Sequence, residues 1–165
     1  MNNRFITLFA AAAVSMFFFS CTKPDNGTPD DNDNNKPERI SIPANEIWYT
    51  TTDWEELAFR HSSQYKENPI TSHTYVDGKG VITFQEALTS IPEDGFANCN
   101  KLKTIILPPR VKSLGRQAFS GCNYLTSIQL SDDLESIGEA ALDSFSRMDS
   151  LFIPAKVSHI ASNAF

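Results

Sequence analysis

Residues 102–125 read LKTIILPPRVKSLGRQAFSGCNYL, and the same arrangement of apolar positions recurs every 23 residues from residue 80 to residue 165. A fixed period of this length is typical of repeat architectures, in which each unit is one small supersecondary element. Seven columns of apolar or small residues keep this register without a slip: Ile82, Ile105, Ile128, Leu151; Phe84, Leu107, Leu130, Ile153; Leu88, Val111, Leu134, Val157; Ile91, Leu114, Ile137, Ile160; Gly95, Ala118, Ala141, Ala164; Phe96, Phe119, Leu142, Phe165; and Leu102, Leu125, Met148.

Each unit is predicted to begin with a strand. Ile105 and Leu107 alternate with Thr104 and Ile106, which is the two-residue period of a strand, and Pro108-Pro109 follows directly. Ile105 and Leu107 are therefore expected to point inward, and Thr104 and Ile106 outward.

The rest of each unit is predicted to return on the opposite side. The segment from Gly115 through Ala118-Phe119 to Cys122 favours a helical turn or an irregular loop. One unit cannot bury its apolar side chains alone, so stacked units must share a core. We therefore predict a solenoid with parallel strands on its concave face and short helical turns or loops on its convex face.

The repeat resembles the leucine-rich repeats of the BspA-like, Treponema type, whose unit reads approximately LxxIxLPxxVxxIgxxAFxxCxxL. Residues 102–125 match this pattern almost position by position, and the resemblance covers residues 80–165. The departures are Ser131 for the strand-end Pro, Leu142 for the Phe and Phe145 for the Cys. The resemblance implies a leucine-rich-repeat fold and a surface protein similar to adhesins that bind matrix proteins.

Residues 38–79 lack the repeat and are predicted to form a small β-rich N-terminal cap. Ile40–Pro43 and Ile47–Thr50 look like short strands, and Asp77-Gly78 predicts a hairpin turn. The last repeat is incomplete at Phe165, so a strand around residues 150–153 is expected to present an unpaired edge. Such an edge predicts self-association.

The first 37 residues are predicted to serve export and anchoring. Residues 1–20 contain Arg4 followed by an apolar run, as in a signal peptide, and Ser20 precedes Cys21 as in a lipoprotein. Residues 21–37 then form an acidic, disordered tether. This order, which resembles that of Bacteroides-like lipoproteins, predicts a lipid anchor at Cys21 on the outer membrane, exposed at the cell surface; a periplasm-facing anchor and ordinary secretion are alternatives.

Charge and motifs narrow the function. Loss of residues 1–20 removes one basic side chain, Arg4, and leaves 13 basic against 20 acidic side chains, a formal charge of minus 7 that disfavours nucleic-acid binding. Neither a G-x-S-x-G elbow nor a phosphate-binding glycine loop is present, and the histidines have no metal-binding spacing. We therefore expect no enzyme activity, no metal and no cofactor. Cys99 and Cys122, 23 residues apart, either pair or fill equivalent core positions, and Phe145 in the same column favours packing.

Two sets of residues are candidates for ligand binding. The outward strand positions predict an interaction with a host or neighbouring-cell protein, and Ile106 and Phe152 are apolar members of that set. Aromatic residues of the cap predict the alternative, a glycan-binding accessory of a nutrient-uptake system; a scaffold fragment of a larger surface protein is a third possibility. The outward set is Val81, Thr83, Thr104, Ile106, Ser127, Gln129, Ser150 and Phe152, and the stacking set is Trp48, Tyr49 and Trp54.

Overall fold

Short strands and turns build the described part of the chain, which has almost no helix. The computed structural model describes residues 38–58, 62–143 and 146–165, and the predicted signal peptide, Cys21 and tether lie outside these ranges. A single turn of 3-10 helix covers Ser62–Tyr65. The strands are β1 (Glu46–Thr51), β2 (Ile70–Val76), β3 (Lys79–Phe84), β4 (Ser90–Ile91), β5 (Leu102–Ile106), β6 (Ser113–Leu114), β7 (Ser127–Gln129), β8 (Ser136–Ile137) and β9 (His159–Ile160).

The first sheet has five strands in the order β2-β3-β1-β5-β7. Strands β5 and β7 are parallel, and Ile105 lies opposite Ile128, so equivalent positions of successive repeats are paired as predicted. Strands β2 and β3 form the predicted hairpin, and both Asp77 and Gly78 at its turn have positive φ angles of 50° and 81°. Positive φ at both central residues is the geometry of a type I′ turn, which matches the twist of the strands.

One expectation about this sheet is wrong, because β1 lies between β3 and β5. Ile82 and Ile105 were expected on neighbouring parallel strands, but Ile82 pairs with Ile47 and Ile105 pairs with Tyr49, both across antiparallel ladders. Strand β1 fits there because Ile47 and Tyr49 alternate with Trp48 and with Thr50, giving one buried and one partly exposed face. Residues before the repeats therefore form part of the same sheet as the repeats.

The second sheet is parallel throughout and has the order β4-β6-β8-β9. Its register joins residues 23 apart, with Ile91 opposite Leu114, Leu114 opposite Ile137 and Ile137 opposite Ile160. This sheet and the turns beyond it occupy the return segments, where short helical turns or loops were expected.

The turns of the return segments also repeat. One position in each turn has a left-handed backbone, with φ of 57° at Asp94, 53° at Gln117, 50° at Ala140 and 54° at Asn163. Backbone hydrogen bonds join each turn to the next, as from Phe96 N to Ala118 O at 2.8 Å and from Gln117 N to Glu139 O at 2.8 Å. The period therefore governs backbone conformation as well as side-chain burial.

The aligned columns form one hydrophobic core. Phe96 and Phe119, equivalent residues of adjacent units, stack with ring centroids 5.3 Å apart and planes 5° apart. In the last unit the column members are less covered, and Phe165 is 56% exposed because no described unit packs on its far side. Residues 150–153 form no strand, so β7 is the edge of the first sheet and the strand edge expected there is not formed.

Charged side chains outside the core pair across the same period. Arg116 contacts Glu93 at 3.3 Å and Glu139 at 3.7 Å, and these residues occupy one column of three successive units. Lys112 and Glu135 form a second such pair at 3.0 Å, and Asp133 and Lys156 form a third. Exposed pairs of this kind contribute little to stability, because water and salt screen the charges. Their 23-residue spacing is nevertheless a second sign of the repeat, independent of the apolar columns.

Candidate ligand-binding face

The exposed side of the five-stranded sheet, here called the outer face, collects side chains from the repeats and from β1. Its longest row runs through Thr74, Val81, Trp48, Ile106 and Gln129, which lie opposite one another on the five strands. Residues directly opposite on neighbouring strands share a face and contact each other. This row therefore forms one continuous surface, although its members lie far apart in the sequence.

Threonines form a second row beside the first. Thr50 lies opposite Thr104, and Thr104 lies opposite Ser127. The hydroxyl oxygens of Thr50 and Thr104 are 2.7 Å apart, so a side-chain hydrogen bond joins β1 to β5. The apolar row is thus bordered by a row of hydroxyl groups.

Trp48 is the largest side chain of the outer face and is held on two sides. Its indole Nε1–H donates to Glu46 Oε2 at 2.7 Å. The ammonium of Lys79 lies 3.1 Å from the centroid of the ring, a cation–π contact. The half-buried ring is therefore held in one orientation before a ligand binds. This lowers the entropic cost of ordering the side chain on binding.

The structure brings most, but not all, of the outward set together. Val81, Thr83, Thr104, Ile106 and Gln129 are half-buried on the outer face, and Ser127 is exposed there. Ser150 and Phe152 are exposed but belong to no strand, so the predicted strand does not continue into the last unit. Phe152 is 38% exposed.

Tyr49 cannot stack on a sugar, which corrects its assignment to the stacking set. The ring is 1% exposed because it occupies the inward side of β1. Its hydroxyl lies 2.7 Å from His73 Nε2 and accepts a hydrogen bond from the Leu57 N–H at 3.1 Å. Burial raises the pKa of Tyr49 to about 12. Tyr49 is therefore a core residue with a satisfied hydroxyl.

Trp54 lies at the turn of the β2–β3 hairpin. Its ring packs on Gly78, where a Cβ atom would come within 2.5 Å of Trp54 Cζ3. The side chain is 75% exposed, and its backbone has a φ of 61°. Trp48, Tyr49 and Trp54 consequently do not form one stacking platform.

His73, in β2 opposite the buried Ile82, is expected to make stability depend on pH. Its pKa is lowered from 6.5, mainly because burial disfavours the imidazolium, although Glu56, with a carboxylate oxygen 3.5 Å from Nδ1, acts in the opposite direction. Below pH 6.5 the unfolded chain binds a proton that the folded chain resists, so the free energy of unfolding should fall as pH decreases from 6.5 towards the lowered pKa. Urea unfolding between pH 7.5 and 5 measures this loss.

His73→Gln is the control for this pH dependence, because a glutamine amide retains hydrogen-bonding capacity without titrating. We expect its free energy of unfolding to vary less over that pH range than that of the parent protein. An equally steep decline in both proteins would show that another group is responsible. Asp53 and Asp133, whose pKa values are lowered by lysine partners, act in a more acidic range.

A segment that sequence reasoning took for a strand instead crosses the end of the outer face. Residues 38–42, here called the strap, are not in a sheet. The Ile40 N–H donates to Gln129 Oε1 at 2.9 Å, and Gln129 Nε2 donates to the Ile40 carbonyl at 2.7 Å. Arg39 pairs with Asp132 at 3.1 Å and donates to the Leu130 carbonyl. The alternation of Ile40 and Ile42 indicated extended backbone. It did not indicate that the segment would contact the Gln129 side chain and not pair with a strand.

The two cysteines of the repeats are free thiols in the core. Cys122 Sγ donates to the Phe96 carbonyl at 3.1 Å, and burial raises the pKa of both thiols to about 12. Both properties favour packing, one of the two alternatives that the sequence left open. Phe145, in the same column, lies outside the described residues.

The described residues include neither a metal-binding cluster nor a membrane-spanning helix. Residues 38–58, 62–143 and 146–165 contain no group of three or more His, Cys, Asp or Glu side chains placed to hold a metal ion. Over the same ranges, no helix has both the length and the apolar character needed to cross a bilayer.

The repeat geometry matches a known family. A family model described as the BspA type leucine-rich repeat region matches residues 79–165 in six copies. This chain belongs to the BspA-type leucine-rich repeat family. Repeat proteins of this kind typically act as binding or scaffold proteins. No curated protein matches the chain.

Three solved structures are similar to about half of this chain. A leucine-rich cell surface protein from Faecalibacterium prausnitzii is 26% identical, with a TM-score of 0.46, over 48% of this chain and 21% of that one. A leucine-rich repeat protein from Bacteroides ovatus is 28% identical, with a TM-score of 0.44, over 53% and 21%. The leucine-rich repeat protein of Treponema pallidum is 23% identical, with a TM-score of 0.40, over 48% of each chain. The matches thus cover between a fifth and a half of these proteins.

Proposed function

We propose that this protein is a binding module that captures an extracellular protein through the outer face. The observation that carries the proposal is the row that joins Val81, Trp48 and Ile106 across three adjacent strands. Protein interfaces concentrate their binding energy in aromatic anchors surrounded by polar residues. The fixed ring of Trp48, with the threonine row beside it, supports this function.

The proposal includes anchoring at the cell surface through a lipid on Cys21. The support is the order of the first residues, in which an apolar run and Ser20 precede Cys21. A lipid anchor of several acyl chains would hold the protein at the membrane while leaving the repeats outside it. Adhesion to a host or neighbouring cell is the role that this arrangement favours.

A protein ligand is favoured over a glycan by the arrangement of the aromatic rings. A sugar stacks on an open aromatic face, but Lys79 lies over the ring of Trp48 and Tyr49 is inside the core. The exposed ring of Trp54 packs against the backbone at Gly78. The outer face instead offers a mixed apolar and hydroxyl-bearing surface along several strands. This composition suits the flat contact of a protein partner.

Replacement of Trp48 by Ala should weaken ligand binding by about tenfold or more, because truncation of an aromatic anchor removes a large share of interface energy. The protein is first applied side by side to arrays of extracellular-matrix proteins and glycans. Affinity for the captured ligand is then measured for the parent protein and for Trp48→Ala. Ile106→Ser is a second variant in the same row, and it removes a smaller side chain than Trp48→Ala does.

Tyr124→Ala is the matched control. Tyr124 is also an exposed aromatic residue beside a cation, with Arg147 4.5 Å from its ring centroid, but it lies in a turn outside the five-stranded sheet. Its replacement should leave the affinity unchanged. The proposal fails if Trp48→Ala and Ile106→Ser bind the captured protein as tightly as Tyr124→Ala does, or if only glycans are captured.

A further inference from the structure

We infer that the site around Gln129 is a receptor for an extended peptide and that the strap is its resident, exchangeable occupant. The inference rests on the proposed function, because Gln129 belongs to the same row as Trp48 and Ile106. It adds the chemical class of the partner segment: an extended peptide with an Arg and, three positions later, a buried aliphatic residue, as Arg39 and Ile42 are in the strap.

The side chain of Gln129 recognises backbone. Its amide oxygen accepts the Ile40 N–H at 2.9 Å, and its amide nitrogen donates to the carbonyl of the same residue at 2.7 Å. A neighbouring strand would satisfy an extended residue with the same pair of hydrogen bonds. Gln129 therefore accepts extended backbone at this position without regard to the side chain attached to it.

The side-chain preferences of the site come from the residues on either side of this contact. Asp132 pairs with Arg39, and the Leu130 carbonyl accepts a hydrogen bond from the same guanidinium, so the position before the Gln129 contact takes a cation. Ile42 is buried and lines one small cavity together with Leu107 and Pro109, so the position two residues after the contact takes an aliphatic side chain.

The contacts that hold the strap allow a peptide from solution to replace it. The strap is not a strand of either sheet, and its Ile40 is 55% exposed although its backbone is bonded. The hydrogen bonds from Gln129 and Arg39 each involve a side chain. A tethered segment competes at an effective concentration of about millimolar for short linkers, so weakening its contacts should raise the apparent affinity for a peptide in solution.

The test uses a labelled peptide with the sequence of residues 37–43, PERISIP, titrated into the full chain. Arg39→Ala weakens the resident strap and leaves the receptor intact, so this variant should bind the peptide about tenfold or more tightly than the parent protein does. Glu38→Ala removes the adjacent, exposed side chain and should bind as the parent protein does. Adding Gln129→Leu to Arg39→Ala should abolish binding.

Two results would overturn the inference. The first is equal peptide affinity of the parent protein and Arg39→Ala, and the second is full binding by Arg39→Ala/Gln129→Leu. A concentration-dependent dimer of the parent protein that Gln129→Leu dissociates would support the inference, with a second copy's strap as the extended peptide. None of these measurements needs the ligand captured on arrays, so failure here is separable from failure of the proposed function.

Discussion

Replacement of Phe119 by Ala is expected to lower the free energy of unfolding by about 3–5 kcal/mol, the cost of truncating a buried phenylalanine. Phe119 is fully buried and stacks on the equivalent Phe96 of the preceding unit at 5.3 Å. Its column lies inside the shared core, so the cavity would open between units that depend on each other for burial. Chemical denaturation followed by circular dichroism measures the loss.

Two matched variants separate this effect from a general sensitivity to substitution. Phe119→Leu places in this unit the residue that the next unit already has at Leu142, and it should cost less than about 1.5 kcal/mol. Phe152→Ala truncates a partly exposed phenylalanine outside the strands and should change stability by about 0.5 kcal/mol at most. Equal losses for Phe119→Ala and Phe152→Ala would contradict a core built from aligned columns.

Outside the last unit, the period predicted the inward positions of the repeats correctly. Side chains at equivalent positions of successive units bury one another, so the apolar positions must recur at the period. Ile105 can share a core with Ile128 only if the intervening chain has the same length in each unit, and their direct pairing confirms this. The pairing of Leu114 with Ile137 follows from the same constraint. The charged columns, such as Glu93, Arg116 and Glu139, would have supported the same register.

The place of β1 could not be predicted from this period. Alternation of Ile47 and Tyr49 with Trp48 indicates a strand, but the choice of β3 and β5 as partners depends on contacts more than 30 residues away. The same alternation did carry one signal that sequence reasoning missed. Tyr49 is two residues after Ile47 and therefore faces the same, buried side of β1. Trp48 lies between them and faces the outer side.

The candidate site was predicted only in part for the same reason. Thr104, Ile106, Ser127 and Gln129 are outward positions of the repeat, and a two-residue period is sufficient to find them. The contact between Gln129 and Ile40 joins positions 89 residues apart in the sequence. No local pattern encodes such a contact, because a glutamine amide on an exposed face can equally bind water or a ligand.

Replacement of Gly115 by Ala is expected to destabilise the protein by about 1–3 kcal/mol, the usual cost of overpacking. A Cβ atom there would lie 2.5 Å from Glu93 N and 2.6 Å from Pro92 C, so backbone would have to move. The Gly115 N–H donates to the Ile91 carbonyl at 2.8 Å, and the next unit bonds to Leu114, which fixes Gly115 from both sides. Ala161 occupies the same column in the last unit and makes the equivalent backbone bond, to the Ile137 carbonyl at 2.9 Å, with a Cβ already present. Ala161→Gly should therefore cost about 1 kcal/mol at most, the ordinary penalty of added chain entropy. If Gly115→Ala unfolds at the same urea concentration as the parent protein, the close approach of adjacent units at this column is not maintained in solution.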